Sequence, residues 1–227
     1  MTPPRDSQRS RVYRAETPLG GRRFPMIPDC AAFVDEVVGS LWWNARFPMR
    51  DLATVPRLRP GNGARQAFFR EEPSGPTITL PRRYRTAGVI IHELAHWALA
   101  DAEDLPNHGR TFTRLLMDAT AEFMGEPKRE LLAAGYAEHR VHIGPPPRVG
   151  PDGVYDYGWD ERLRLGRGRT FVVHWGEDQN STGVLVSRVH RRLTLRGDTE
   201  DHSVPEREIW RVRPASPARP SVFTPAS

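Results

Sequence analysis

Gly88-Val89-Ile90-Ile91-His92-Glu93-Leu94-Ala95-His96-Trp97-Ala98-Leu99-Ala100 is the most apolar stretch of the chain, and the three polar residues inside it govern how the rest is read. At about 100° per residue, positions four apart lie one turn removed and some 40° apart around a helix, so the imidazoles of His92 and His96 can reach one ion. Glu93 falls beside that face, near the place of a metal-bound water. The H-E-x-x-H spacing therefore predicts a helix over about 86–102 carrying two metal ligands and a general base. Chance alone would produce the pattern about 0.02 times in a chain of this composition. Its bland alternative is a pair of surface or core histidines.

Zn²⁺ held by three protein ligands keeps an open position, and it lowers the pKa of its water to about 7. A third ligand is thus required. His108 lies 12 residues after His96, across the Pro106-Asn107-His108-Gly109 break, where the chain can reverse and Gly109 lets the backbone turn closely. A carboxylate from the next helix, Glu122 or Asp118, is the competing choice. The elongated metzincin pattern is absent, because Leu99 and Ala102 stand where it needs glycine and histidine. Tyr84, Tyr136, His139 and His142 are available as a donor beside the metal, and each also fits a structural role. Trp97 reads as a core residue or as a pocket wall.

Outward from this helix, Arg5, Arg9, Arg11, Arg14, Arg22 and Arg23 suggest a basic flexible arm over 1–22. Rows of Phe33, Val37, Leu41 and Val34, Val38, Trp42 predict a helix over about 30–44, N-capped by Asp29. Prolines and Gly61-Asn62-Gly63 argue against regular structure until about residue 64, after which a β hairpin, with its second arm at 77–80, leads into the motif helix. That second arm is the candidate edge strand for holding an extended peptide. Helices follow at about 110–124 and 128–138, then a proline-rich linker at 144–149. Residues 150–213 read as a small antiparallel β module with strands at 169–175, 184–189, 192–195 and 208–212, and 214–227 as a disordered tail.

The 227 residues carry 33 Lys and Arg, of which only Lys128 is lysine, against 28 Asp and Glu, for a formal charge of +5. This permits an anionic partner. Arg162, Arg164, Arg167 and Arg169 with Trp159, Phe171 and Trp175 offer a possible nucleic-acid cradle. Its alternative is a solvated strand face. The lone Cys30 excludes an internal disulfide and any cysteine-built zinc ribbon, so metal chemistry must use His and carboxylates. The opening residues lack the apolar run of an export signal, and no segment approaches the roughly 20 apolar residues of a membrane span, so a cytoplasmic protein without membrane partners is expected.

His92-Glu93-Leu94-Ala95-His96 followed by Asn107-His108-Gly109-Arg110-Thr111-Phe112 resembles the SprT-like zincin metallopeptidases, in which the H-E-x-x-H helix precedes a loop bearing His-Gly-x-x-Phe. The similarity is greater to a group of uncharacterised metallohydrolases from actinomycetes, and it spans about residues 9–143, with Arg11-Val12-Tyr13-Arg14-Ala15-Glu16 and Leu80-Pro81-Arg82-Arg83 included. The resemblance implies an α+β, zincin-like (minigluzincin or SprT-type) domain at 23–143 and, beyond it, a β module that is expected to be barrel-like. It also implies zinc on His92, His96 and His108, Glu93 as general base, and a peptide or protein substrate. The rival expectation is a non-catalytic protein with a structural metal, whose arginine-rich arm and β module bind nucleic acid or a protein.

Overall fold

The stretch quoted above forms a helix because Thr86 starts it, its hydroxyl accepting from the Val89 N–H at 3.4 Å, and because nearly every side chain that follows is apolar. The computed structural model of the chain describes residues 6–48, 54–63, 65–176 and 179–215, and among them it is mixed α+β with seven α-helices. Two compact units are formed, one up to Arg162 and one from Leu163.

Within the first unit the motif helix is the fourth, α4 (Ala87–Ala98), preceded by α1 (Arg9–Glu16), α2 (Ile27–Val38) and α3 (Leu41–Arg46). Ile90, Ile91, Leu94, Ala95 and Trp97 of α4 are buried, as expected of a helix that is apolar around most of its circumference. Helix α5 (Arg110–Met124) packs on it with Phe112, Leu115 and Leu116, and α6 (Glu126–Glu138) packs on α5. Full burial of a large apolar side chain contributes about 1.5–3 kcal/mol, so the face formed by these residues anchors α4 firmly. Trp97 is a core residue, 1% exposed and stacked on Trp43 at 5.7 Å between ring centroids.

Several expectations need correction. The helix expected over 30–44 is two helices, broken at Gly39-Ser40. Ser40 Oγ accepts the Trp43 N–H at 3.1 Å and starts α3, while Asp29 is not the N-cap but lies inside α2, its carboxylate accepting the Met26 N–H at 3.1 Å. The apolar rows run on through the break in number, so periodicity conceals it. Residues 9–16 of the expected flexible arm are helical, with Val12 and Ala15 fully buried; residues 1–5 of that arm lie outside the described residues.

The sheet of this unit has the order β1-β3-β2, from β1 (Arg57–Pro60), β2 (Phe68–Glu72) and β3 (Gly75–Leu80). The expected hairpin is β2–β3. Strand β1, running parallel to β3, occupies part of the region expected to be irregular; its proline sits at the end of a short edge strand, where a missing N–H is tolerated. Strand β3 is therefore central, with neighbours on both sides, and cannot be the edge strand expected at 77–80. The edges of this sheet are β1 and β2.

The proline-rich stretch is pinned rather than free: Gly144 N–H donates to Arg110 O at 2.9 Å, Arg114 Nε to Gly144 O at 2.9 Å, and Trp159 Nε1 to Pro146 O at 3.2 Å. A two-residue ladder, β4 (Arg148–Val149) with β5 (Tyr155–Asp156), and the start of α7 (Trp159–Leu165) complete the first unit, so the division falls after Arg162 and not at 144–149.

The second unit is a five-stranded antiparallel sheet of order β10-β6-β7-β8-β9, from β6 (Thr170–Trp175), β7 (Gln179–Val189), β8 (Arg192–Arg196), β9 (Asp201–Pro205) and β10 (Ile209–Pro214). Phe171, Val173, Leu185, Leu193, Leu195, Val204, Ile209 and Val212 form its buried side. Among the described residues β9 and β10 do not pair, so the sheet is open and the barrel-like expectation fails. Strand β9 and the first half of β7 were not anticipated, because Gln179, Asn180, Thr182, Asp201 and Ser203 are exposed polar positions that resemble turn sequence. Residues 216–227, most of the expected tail, lie outside the described residues. No helix among the described residues is long and apolar enough to cross a membrane.

Candidate metal centre

Helix α4 places His92 and His96 one turn apart, and the loop from Leu99 to Gly109 returns His108 to the same point. His96 Nε2 lies 3.1 Å from His92 Nε2 and 3.2 Å from His108 Nε2, and one ligand atom from each of the three residues lies within 4.8 Å of the others. Neither carboxylate competitor joins them among the described residues; Asp118 instead pairs with Arg114 at 3.4 Å. These two separations match the roughly 3.3 Å edge of a tetrahedral site with bonds of about 2 Å, and the group is compatible with a bound cation.

The opposite ring nitrogens explain why the Nε2 atoms are available. His92 Nδ1 is 2.7 Å from Glu16 Oε2, and His108 Nδ1 is 2.7 Å from Asp6 Oδ2. In their ionised forms these carboxylates can only accept, which places the proton on each Nδ1 and leaves each Nε2 to present a lone pair to the shared point. Burial, reinforced by the neighbouring rings, holds His92 and His96 well below the usual imidazole range, which keeps them in the neutral, ligating form. For Asp6, burial is outweighed by the hydrogen bond and charge of His108 together with the charge of Arg9, and its carboxyl is lowered. Neither Asp6 nor Glu16 was anticipated as a site residue. The only sequence signal was their position around an arginine-rich helix, where they read as counter-charges.

Phe112, the last residue of the His-Gly-x-x-Phe pattern, is fully buried beneath all three rings, with centroids 4.9 Å from His92, 4.5 Å from His96 and 5.0 Å from His108. It supplies an apolar floor that excludes water from that side. Gly109 is required by close approach and not by its backbone angle: a Cβ there would collide with the Glu161 carboxylate. That carboxylate accepts the N–H groups of Arg110 at 2.9 Å and Thr111 at 2.8 Å, capping α5 directly after His108. Glu161→Ala is expected to destabilise the protein by about 2 kcal/mol, read as a lower denaturant midpoint, because two buried helix donors lose a charged acceptor.

Above the floor, His96 and His108 border a cleft of about 670 Å³ whose walls also include Glu93, the β2 residues Phe68 to Glu71, the loop residues Leu105 and Pro106, and Arg9 and Tyr13 from α1. Glu93 is 4% exposed and accepts the Phe69 backbone N–H, so this side of β2 faces the site. Burial pushes its carboxyl, like that of Glu16, up to about 8. A cation nearby would favour the ionised form of both. Tyr13 stacks on His92 at 5.4 Å and meets His108 edge-on at 5.1 Å. Of the residues considered as donors, none borders the cleft: Tyr136 is buried with its hydroxyl donating to Glu16 Oε1 at 3.4 Å, and the His142 backbone is engaged by Gln8.

Of the residues considered for a nucleic-acid cradle, Arg162 is buried between Asp104 at 2.9 Å and Asp156 at 3.2 Å, and Trp159 and Phe171 are buried, whereas Arg164 and Arg167 are exposed and Arg169 and Trp175 half-buried. No family model, no curated protein and no solved structure matches the chain.

Proposed function

We propose that the first unit is a zincin-like zinc metallohydrolase that cleaves peptide bonds. One observation carries this reading: three imidazole nitrogens converge on a point at the rim of an open cleft, with the Glu93 carboxyl on the adjoining wall. Three histidines and an accessible fourth position favour zinc in a catalytic setting. The bound ion would supply Lewis acidity, polarising an amide carbonyl and acidifying water.

Glu93 would take a proton from the attacking water as its oxygen bonds to the carbonyl carbon, then deliver that proton to the nitrogen as the C–N bond breaks. Phe69 N–H holds the carboxylate in place for this transfer. The Phe112 floor keeps competing solvent from the ligand rings. Strand β2 favours a peptide over other amides, since its edge away from β3 lies along the cleft and can pair with extended backbone. The rival structural-metal reading needs a fourth protein ligand, and no further His, Cys, Asp or Glu joins the three among the described residues.

The test combines elemental analysis of the purified full chain with a screen of unstructured peptides. Near one zinc per chain and cleavage abolished by chelator and restored by zinc is the expected result. Stoichiometric zinc without cleavage of any peptide in the screen would sink the peptidase assignment, and absence of metal would sink the whole reading.

A further inference from the structure

We infer that helix α1 is a working part of the metal centre, seated on α6, so that docking of α1 and binding of the ion strengthen one another. This rests on the metal reading of the three imidazoles and not on the hydrolytic one. Asp6 lies just ahead of α1 and Glu16 is its last residue. Between them they hold two of the three imidazoles, each at 2.7 Å, one on α4 and one on the loop that follows it. Helix α1 thus spans the two segments whose relative position sets the spacing of the ligand nitrogens. Asp6 and Glu16 are positioning residues: they act through the imidazoles.

An eight-residue helix has little stability of its own, so α1 must be held by its surroundings. Besides the two imidazoles, α1 is held by α6 and the residues after it. Gln8 brackets His142, with Nε2 donating to its carbonyl at 3.1 Å and Oε1 accepting its N–H at 2.9 Å, while Nε2 also reaches His108 O at 2.8 Å. Arg11 donates to Arg140 O at 2.6 Å, and Tyr136 donates to Glu16. The tightest point is Gly135. A Cβ there would lie 2.7 Å from Ala15 O and 3.3 Å from Ala15 Cα, directly ahead of Glu16 in the chain. Glycine inside a helix is ordinarily less favourable than alanine; here it is what lets α1 lie close enough for Glu16 to reach His92. Since the ion favours the docked arrangement, linkage requires that docking raise its affinity by the same factor.

Gly135→Ala tests this at a residue that touches no ligand, since alanine is a better helix former in α6 but its methyl must displace the Ala15 backbone. Glu16→Gln is the companion, keeping size and an acceptor for His92 Nδ1–H while removing charge. Zinc affinity of the full chain is read by competition with a chromophoric chelator, and hydrogen exchange at residues 9–16 with and without zinc. Each variant should bind zinc about 10–100-fold more weakly than wild type. Zinc should slow exchange over 9–16 in wild type and do so less in Gly135→Ala. A purely structural role for α1 would alter the zinc-free melting temperature and leave both readouts unmoved. Wild-type affinity in both variants, or exchange over 9–16 indifferent to zinc, overturns the inference while the metal reading stands. If Gly135→Ala does not fold, Glu16→Gln alone decides by affinity. A wild-type chain that binds no zinc removes the metal reading and this inference together.

Discussion

Glu93→Gln is expected to bind zinc as tightly as the wild-type chain and to lose about 10²–10⁴-fold in turnover. The substitution is isosteric, and its amide oxygen can still accept the Phe69 N–H that the carboxylate accepts now, so the wall of the cleft should not move. None of the three converging nitrogens belongs to Glu93, and none of the hydrogen bonds to their opposite ring positions involves it. What disappears is a group that can accept a proton from water and return it to the departing nitrogen. Side-by-side zinc stoichiometry and initial rates on one cleaved peptide separate the two properties. Rates equal to wild type at full zinc occupancy would exclude Glu93 as the base and return attention to Tyr13, the hydroxyl-bearing side chain stacked over His92 at the rim of the cleft.

The parts of the site that could be read in the sequence are those fixed by local geometry. Helical spacing sets His92 against His96, and a chain break with His108-Gly109 is short enough that the loop has few ways to return. Phe112 was legible as part of a pattern, though its purpose, a floor beneath three rings, needed the packing of α5 on α4. Asp6 and Glu16 were not legible: they meet His108 and His92 across 102 and 76 residues of sequence, and nothing local distinguishes a carboxylate aimed at an imidazole from one that balances a neighbouring arginine. The same limit explains the fold errors. Apolar periodicity described α4, α5 and the β2–β3 hairpin well, because each presents one continuous face to the core. It concealed the break at Gly39-Ser40, and it could not reveal that a short parallel strand, β1, would turn β3 from an edge into a centre. Strand order is a property of long-range pairing, and which strand forms an edge depends on it.

His108→Ala should abolish the response of the protein to zinc while leaving the fold intact. A ligand that binds only the folded chain stabilises it by about 2.7 kcal/mol at a hundredfold excess over its dissociation constant, which for a chain of this size is a rise of about 5–10 °C in melting temperature. With His108 removed, two imidazoles remain on one turn of α4 without the third lone pair that closes the site, and the same zinc concentration should give no rise. The variant also leaves the Asp6 carboxylate without its imidazole partner; because that carboxylate is about a quarter exposed, water can replace part of what is lost, and zinc-free stability should fall only modestly. Asp118→Ala is the matched control, since Asp118 engages Arg114 and stands outside the histidine group; its zinc response should equal that of wild type. A zinc-induced rise that survives in His108→Ala and vanishes in Asp118→Ala would transfer the third ligand to α5. The cleft would then have to be reorganised around a carboxylate that now faces an arginine.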